Sequence, residues 1–212
     1  MRHHRRLPEP PAPQSISADE QAYYDHVTER TERVHGTAGR PAEYFAAISN
    51  APPVAAALTE LGTQVRKGGL RGTYTDTERE LMDIVLAVDL GSNAILQVHI
   101  PDAVAVGVPC ETIRALIEGR DHELERDDAQ IVTYARQVVG GAVTDASYAA
   151  LVERFGARGA VEFTALIGFL LMTIRLWQAL GVPEPTPEEI RALLDDIESD
   201  SSSLPDPGAR IG

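Results

Sequence analysis

The sequence has very little sulfur chemistry to offer, since Cys110 is the single cysteine among 212 residues. One cysteine cannot form an internal disulfide, and it cannot supply a thiolate metal cluster. The motifs His-Glu-x-x-His, Gly-x-Ser-x-Gly and Cys-x-x-Cys are absent, as is a glycine-rich phosphate loop. The sequence therefore excludes the enzyme classes that depend on those motifs, and we expect neither a metal nor a cofactor.

Basic residues are also scarce, because 19 Lys and Arg stand against 32 Asp and Glu, for a formal net charge of −13. A nucleic-acid-binding protein normally shows a basic face, whereas the one basic cluster here, residues 2–6, leads directly into prolines. The longest uncharged apolar run, residues 163–174, is shorter than the roughly 20 residues that a membrane helix needs. With no secretory signal either, we expect a cytoplasmic protein without nucleic-acid or membrane partners.

What the chain does contain is typical of a globular protein, with 43% hydrophobic and 24% charged residues. Residues 1–17 include four prolines, so we expect a flexible N-terminal arm. Residues 199–212 are rich in Ser, Pro, Gly and Asp and predict a flexible tail. The remaining residues, 18–198, are predicted to form one domain.

The pattern across that domain predicts helix after helix and no strand pair, which is an all-α fold. Capping boxes or N-cap residues are predicted at Ser17, Thr75, Thr144 and Thr186. Glycines, including Gly156, should end several helices. The helix that begins at Pro52-Pro53 is expected to bury one face, made of Val54, Leu58, Leu61 and Val65.

Two consecutive segments predict a buried antiparallel helical hairpin. The first helix, which follows Thr75, carries apolar residues at the i, i+3, i+4 and i+7 positions and should end at Gly91. Ser92 should cap the second helix, and Pro101 should kink or interrupt it. A Glu near the start of an apolar run recurs at Glu162, which weakly suggests an internal duplication.

Each helix of the hairpin carries one titratable side chain among apolar neighbours. Glu80 lies on the first helix and needs a partner, because an isolated buried charge is costly. His99 lies within the apolar run 94–100 on the second. Taken alone, each has an ordinary structural interpretation, as a helix-dipole Glu and a core His bonded to a carbonyl. Together they predict a carboxylate–imidazole pair for general acid–base catalysis.

Three further side chains are candidates for contact with a substrate. Tyr44 and Tyr74 carry phenols that can donate a hydrogen bond to an enolate oxygen, and Arg66 can hold a carboxylate. The alternative for each is ordinary core or surface packing.

A series of short motifs runs through the central part of the chain. In chain order they are Glu78-Arg79-Glu80-Leu81, Gly91-Ser92, His99, Gly107, residues 111–116, residues 144–148, residues 161–168 and residues 179–183. This series resembles the carboxymuconolactone decarboxylase and AhpD-like alkylhydroperoxidase superfamily over roughly residues 40–187. The resemblance implies an AhpD-like helical bundle, a homo-oligomer, and functional roles for Glu80 and His99.

The sequence departs from both branches of that superfamily. The two cysteines of the peroxidase branch fall on Ser92 and Ile95, which cannot supply a thiolate nucleophile, so dithiol peroxidase activity is not expected. The aromatic-rich Tyr-Glu-Trp of the decarboxylase branch falls on residues 94–96, Ala-Ile-Leu. A more apolar wall suggests a larger or greasier substrate, such as a polyketide-like or terpenoid molecule.

We therefore expect a cofactor-independent, lyase-like enzyme acting on an enolisable organic acid or a polyketide-like small molecule. Its reaction would be a decarboxylation, dehydration, isomerisation or conjugate addition, with His99 as proton shuttle and Glu80 as its partner. One alternative is a redox-silent relative that binds a ligand or partner without turnover. A second alternative is a redox enzyme that uses Cys110.

Overall fold

A computed structural model describes residues 8–35, 43–202 and 204–207, and within these residues every regular element is helical. The prediction of an all-α fold is confirmed, and the bundle is built of ten α-helices in the described part of the chain. The helices are α1 (Gln21–His35), α2 (Glu43–Ile48), α3 (Pro52–Val65), α4 (Gly68–Arg71), α5 (Asp76–Leu90), α6 (Asn93–Ala105), α7 (Cys110–Ile117), α8 (Arg126–Gly140), α9 (Asp145–Leu180) and α10 (Pro187–Ser199).

Most helices begin where the sequence predicts. The side chains of Thr75, Thr144 and Thr186 each accept a hydrogen bond from the backbone N–H three residues on, and each forms a reciprocal capping box. Ser17 bonds the carboxylate of Glu20 at 3.2 Å, but α1 itself begins at Gln21. Gly36 and Gly39, which favour a helix end, and Pro41, which favours a helix start, lie outside the described residues.

Helices α5 and α6 form the predicted antiparallel hairpin at the centre of the bundle. Nine consecutive residues of α5, from Arg79 to Ala87, are buried, so this helix is covered on every side. Gly91 ends α5 with φ 69°, a left-handed conformation that only glycine adopts without strain. Helix α6 runs unbroken across Pro101, so the expected interruption there does not occur.

The start of α6 corrects a second detail, because the side chain of Ser92 makes no capping bond to the helix. Glu184, from the segment after α9, takes that role by accepting a hydrogen bond from the N–H of Ala94 at 2.6 Å. The other carboxylate oxygen of Glu184 accepts a hydrogen bond from the hydroxyl of Ser92 at 3.1 Å. A carboxylate at a helix N-terminus also complements the helix dipole. This long-range cap fixes the segment between α9 and α10 against the central hairpin.

The predicted buried face of α3 is confirmed at Val65 and wrong at Val54 and Leu61, which are exposed. Leu58 is half-buried, and most of the buried side is formed by small residues. At Gly62 an added Cβ would lie 2.7 Å from the ring of Phe169, so α3 and α9 approach too closely for a larger side chain. The buried positions of α3 are Pro52, Ala55, Ala56, Thr59, Gly62 and Val65.

Helix α9 contains the break predicted at Gly156, whose φ of 69° and ψ of 170° are not helical. The chain therefore turns there and continues as a second, apolar segment to Leu180. By length and composition α9 is the one helix in the described residues that could cross a membrane. Its face towards the bundle buries Phe163, Leu166, Ile167, Leu170 and Ile174, as expected of a core helix.

The two chain ends contact the body of the protein where the structure describes them. In the segment predicted as an arm, the carbonyl of Glu9 accepts a hydrogen bond from Asn50 at 3.0 Å. In the segment predicted as a tail, Leu204 packs against the core and Pro207 is buried. At least these residues are held in place by contacts with the helical domain.

The buried apolar residues form two clusters. The larger surrounds the α5–α6 hairpin, and the smaller joins α1, α2 and α3 around Val27, Tyr44 and Ile48. Trp177 of α9 packs against both clusters. A cavity lies between them.

A prediction follows from the close contact between Gly68 and the buried ring of Tyr74. An added Cβ at Gly68 would lie 2.1 Å from that ring, and the hydroxyl of Tyr74 donates to the carbonyl of Val65. Gly68→Ala should therefore lower the free energy of unfolding by about 1–3 kcal/mol, the usual cost of overpacking. Gly140→Ala is the matched control, because nothing lies within 4 Å of its added Cβ. Equal stability of the two variants in urea unfolding would contradict the packing seen here.

Candidate active site

The cavity has a volume of about 300 Å³ and one strongly polar end. Its walls are mainly aliphatic and aromatic, drawn from α2, α3, α6 and α9, and Pro207 also lines it. The apolar lining includes Phe45, Ile48, Leu58, Phe169, Leu170 and Trp177. A concave, mostly apolar pocket with a few converging polar groups is the usual form of a small-molecule site.

Glu80 and His99 meet at the polar end, as the sequence predicts. The Nδ1 atom of His99 lies 2.8 Å from the Oε2 atom of Glu80, which joins α5 directly to α6. The side chain of Glu80 is 3% exposed and that of His99 is 14% exposed. The carboxylate is thus shielded from water, while the imidazole keeps an edge on the cavity.

The other ring nitrogen of His99 faces a second carboxylate, which the sequence reasoning missed. The Nε2 atom lies 3.5 Å from the Oδ1 atom of Asp83, whose side chain is almost fully buried. Asp83 lies three residues after Glu80, so both carboxylates project from one face of α5. That spacing, within a helix predicted to be buried all round, is the signal that could have identified Asp83.

Two guanidinium groups pair with these carboxylates. Arg66, at the end of α3, donates bidentate hydrogen bonds to the carboxylate of Asp83 at 2.7 and 2.8 Å. Arg79 donates from Nε and Nη2 to one oxygen of Glu80 at 3.1 and 3.0 Å, and also donates to the carbonyl of Arg66 at 3.2 Å. Buried carboxylates need such partners, because desolvation of an unpaired charge is costly. Two positive and two negative groups therefore surround the imidazole.

The electrostatics of this cluster favour a charged ring. Burial opposes protonation of His99, but the negative charges of Asp83 and Glu80 and the hydrogen bond to Glu80 outweigh it and raise the pKa of His99 above 6.5. Burial alone would raise the pKa of Glu80, yet His99, Arg66 and Arg79 lower it to about 2. With carboxylate oxygens beside both ring nitrogens, a neutral tautomer would turn one lone pair towards an anion. The imidazolium avoids that repulsion.

The three remaining candidates lie in different surroundings. Tyr44 lines the cavity, and burial raises its pKa to about 12, so it stays a protonated donor. Arg66 lines the cavity as well, but its terminal nitrogens are bonded to Asp83. Tyr74 is not among the cavity-lining residues, because its ring packs against Phe155 and Phe163 in the core.

The cluster also has the composition of a metal site, since ligand atoms of Glu80, Asp83 and His99 lie within 4.8 Å of one another. Two carboxylates and an imidazole suit several divalent cations. Here, however, Arg66 and Arg79 already occupy carboxylate oxygens with positive charge. A cation would have to displace those guanidiniums, so the arrangement favours a proton on His99 over a metal ion.

Cys110 lies away from this cluster. It begins α7, packs against the larger apolar cluster and does not line the cavity. Burial, followed by the charge of Glu198, raises the pKa of its thiol. A thiol held protonated is a poor nucleophile, so the surroundings of Cys110 do not favour redox chemistry.

Comparison of the chain with protein-family models, with curated proteins and with solved structures found no match. The resemblance to the carboxymuconolactone decarboxylase superfamily therefore stays a prediction.

The raised pKa of His99 predicts how stability depends on pH. A group whose pKa is raised on folding stabilises the protein fully below its unfolded pKa, about 6.5 here, and loses that effect as pH rises through the folded pKa. The free-energy difference between the wild type and His99→Gln should thus be largest below pH 6.5 and shrink as pH rises through the folded pKa of His99. Urea unfolding of both proteins at a series of pH values on either side of 6.5 tests it. A difference that grew with pH would show that His99 is held neutral.

Proposed function

We propose that this chain is a cofactor-independent acid–base enzyme acting on an enolisable small molecule, with His99 moving the proton and Glu80 as its partner. The observation that carries the proposal is the 2.8 Å contact between His99 and Glu80 at the polar end of an apolar cavity. Decarboxylation, dehydration, double-bond isomerisation and conjugate addition all pass through an enolate-like intermediate that such a pair can serve.

In the proposed mechanism His99 begins as an imidazolium and acts as the acid. For a β-keto acid, its Nε2 proton passes to the ketone oxygen while the bond to the carboxyl carbon breaks and carbon dioxide leaves. The resulting enol returns its hydroxyl proton to Nε2 and gains a proton at carbon from solvent. The 3.5 Å separation between Nε2 and Asp83 is longer than an ordinary hydrogen bond, so this proton is not firmly held.

Glu80 and Asp83 would stabilise the imidazolium from either side, while Arg79 and Arg66 pair with the two carboxylates. Glu80 remains deprotonated throughout, since its pKa is lowered to about 2. It therefore orients the imidazole ring and stabilises its protonated form without exchanging a proton itself. Tyr44, a protonated phenol on the cavity wall, is a candidate donor to the enolate oxygen.

The apolar residues of the cavity wall support the expectation of a largely apolar substrate. Aromatic rings of Phe45, Phe169 and Trp177 line it, together with several aliphatic side chains. Such a wall gains free energy by burying a hydrophobic skeleton. We therefore propose a polyketide-like or terpenoid substrate that carries its enolisable group at one end.

A second candidate function is the binding of a ligand without turnover. The feature that favours it is the full pairing of the charged cluster, in which both carboxylates contact arginines and both ring nitrogens face carboxylates. A fully paired cluster of this kind can have a purely structural role, in which it holds α5 and α6 together. Exchange of protons between ligand and solvent distinguishes the two functions, because a protein that only binds its ligand does not catalyse that exchange.

We also propose that the protein acts as a homo-oligomer. Val161 and Met172 are exposed on the outer side of α9, and Leu61 is exposed on the neighbouring α3. Association of two copies would remove such apolar surface from water.

The proposal predicts a large loss of activity in His99→Ala. In deuterium oxide, the enzyme should exchange the α-protons of an aromatic ketone such as 1-tetralone, observed by proton NMR. His99→Ala should lower the exchange rate by about 10²–10⁴, the usual contribution of an acid–base group. Glu80→Gln should lower the exchange rate less, because Glu80 orients the imidazole ring and does not itself transfer the proton. Cys110→Ser is the matched control and should exchange like the wild type.

Both site variants must retain the helical circular dichroism and the mass in solution of the wild type. Exchange by folded His99→Ala at the wild-type rate would contradict the mechanism. Binding of the ketone to the wild-type protein without exchange would favour the second candidate function.

A further inference from the structure

Two polar groups on the cavity wall have no hydrogen-bond partner. They are the hydroxyl of Thr173 and the indole Nε1–H of Trp177, and both atoms are buried. Across the described residues, four buried side-chain polar atoms lack a partner, and the other two belong to Asp121 and Gln137, which do not line the cavity. A buried donor without a partner lowers stability, so its position at a cavity wall calls for a functional explanation.

The hydroxyl of Thr173 is unusual within this protein. A threonine inside a helix commonly bonds the carbonyl four residues earlier, and the structure shows that bond elsewhere in the chain. The threonines that make it are Thr28, Thr31, Thr63, Thr133 and Thr164. The buried hydroxyl of Thr173 makes no such bond, so its hydrogen-bonding capacity is unused.

Thr173 and Trp177 are four residues apart on α9, so their side chains emerge from the same face of the helix. Neither is charged. The indole N–H can only donate a hydrogen bond, whereas the hydroxyl can donate or accept one. A ligand group that satisfies both is a neutral oxygen, either a carbonyl that accepts twice or a hydroxyl that accepts from Trp177 and donates to Thr173.

We propose that Thr173 and Trp177 form a subsite for a neutral oxygen of the ligand, separate from the reacting group at His99. The ring of Trp177 packs against that of Tyr44 at a tilt of 36°, with the ring centroids 5.1 Å apart, which holds the indole in place. The ligand is then an apolar skeleton with oxygen functions at two positions. This inference depends on the proposed function only in that it calls the ligand a substrate.

The test uses a matched pair of probes, 2-adamantanone and the hydrocarbon adamantane, which differ in one carbonyl group. This bridged ketone cannot enolise, so its carbonyl reports on the subsite, and proton exchange is followed separately with 1-tetralone. Trp177 is the single tryptophan of the chain, so intrinsic fluorescence reports on the subsite itself. The wild type should bind the ketone about 5- to 30-fold more tightly than the hydrocarbon, and its emission should shift when the carbonyl bonds the indole. Calorimetry gives the affinities where the tryptophan is replaced.

Two substitutions should weaken that preference. Thr173→Val and Trp177→Phe should each reduce the ketone preference by about 3- to 10-fold, while Thr173→Ser, which keeps the hydroxyl, should retain it. Thr173→Val should also raise the melting temperature of the ligand-free protein, because it removes a buried hydroxyl that has no partner. A hydroxyl with a structural role would give the opposite shift.

Equal affinity of the wild type for the two probes, or no binding of either, would overturn the subsite. An unchanged preference in both Thr173→Val and Trp177→Phe would overturn it as well. Loss of the subsite with proton exchange still dependent on His99 would leave the proposed function intact. A ketone preference without any exchange would instead remove the proposed function and leave the subsite.

Discussion

The buried pair of Glu80 and His99 determines which other charged side chains lie beside the cavity. It joins the two central helices at 2.8 Å and places a charged pair where apolar packing would otherwise be continuous. A buried carboxylate is tolerated only with compensating charge, which Arg79 supplies to Glu80 and Arg66 supplies to Asp83. These pairings offset the cost of burying the charges, and the contact with Glu80 holds the imidazole at the edge of the cavity.

The sequence predicts the hairpin and its two titratable residues because those signals are local. A capping box at Thr75, a glycine at 91 and helical periodicity place Glu80 and His99 on facing helices. The partners are harder to predict, since pairing of Arg66 with Asp83 depends on where α3 ends in space. For the same reason Glu184, the true cap of α6, could not be found from a local pattern.

The errors on α3 have a different physical origin. Periodicity assigns large apolar residues to the inside, but close helix contact selects small ones, and Gly62 lies against the ring of Phe169. Val54 and Leu61 are exposed as a result. The same packing of α3 and α9 places Phe169, Thr173 and Trp177 around the cavity. The apolar wall and the polar end therefore arise from separate constraints, tight helix packing and charge compensation, which meet in a single pocket.

We infer that His99 is held as an imidazolium between the carboxylates of Glu80 and Asp83. Nitrogen-15 NMR of labelled histidine tests it directly, because the two ring nitrogens have similar shifts in the imidazolium and very different shifts in a neutral tautomer. We expect a charged His99 ring at neutral pH, with a pKa above 6.5 that falls in Asp83→Asn. A neutral ring with a pKa below 6.5 would contradict it.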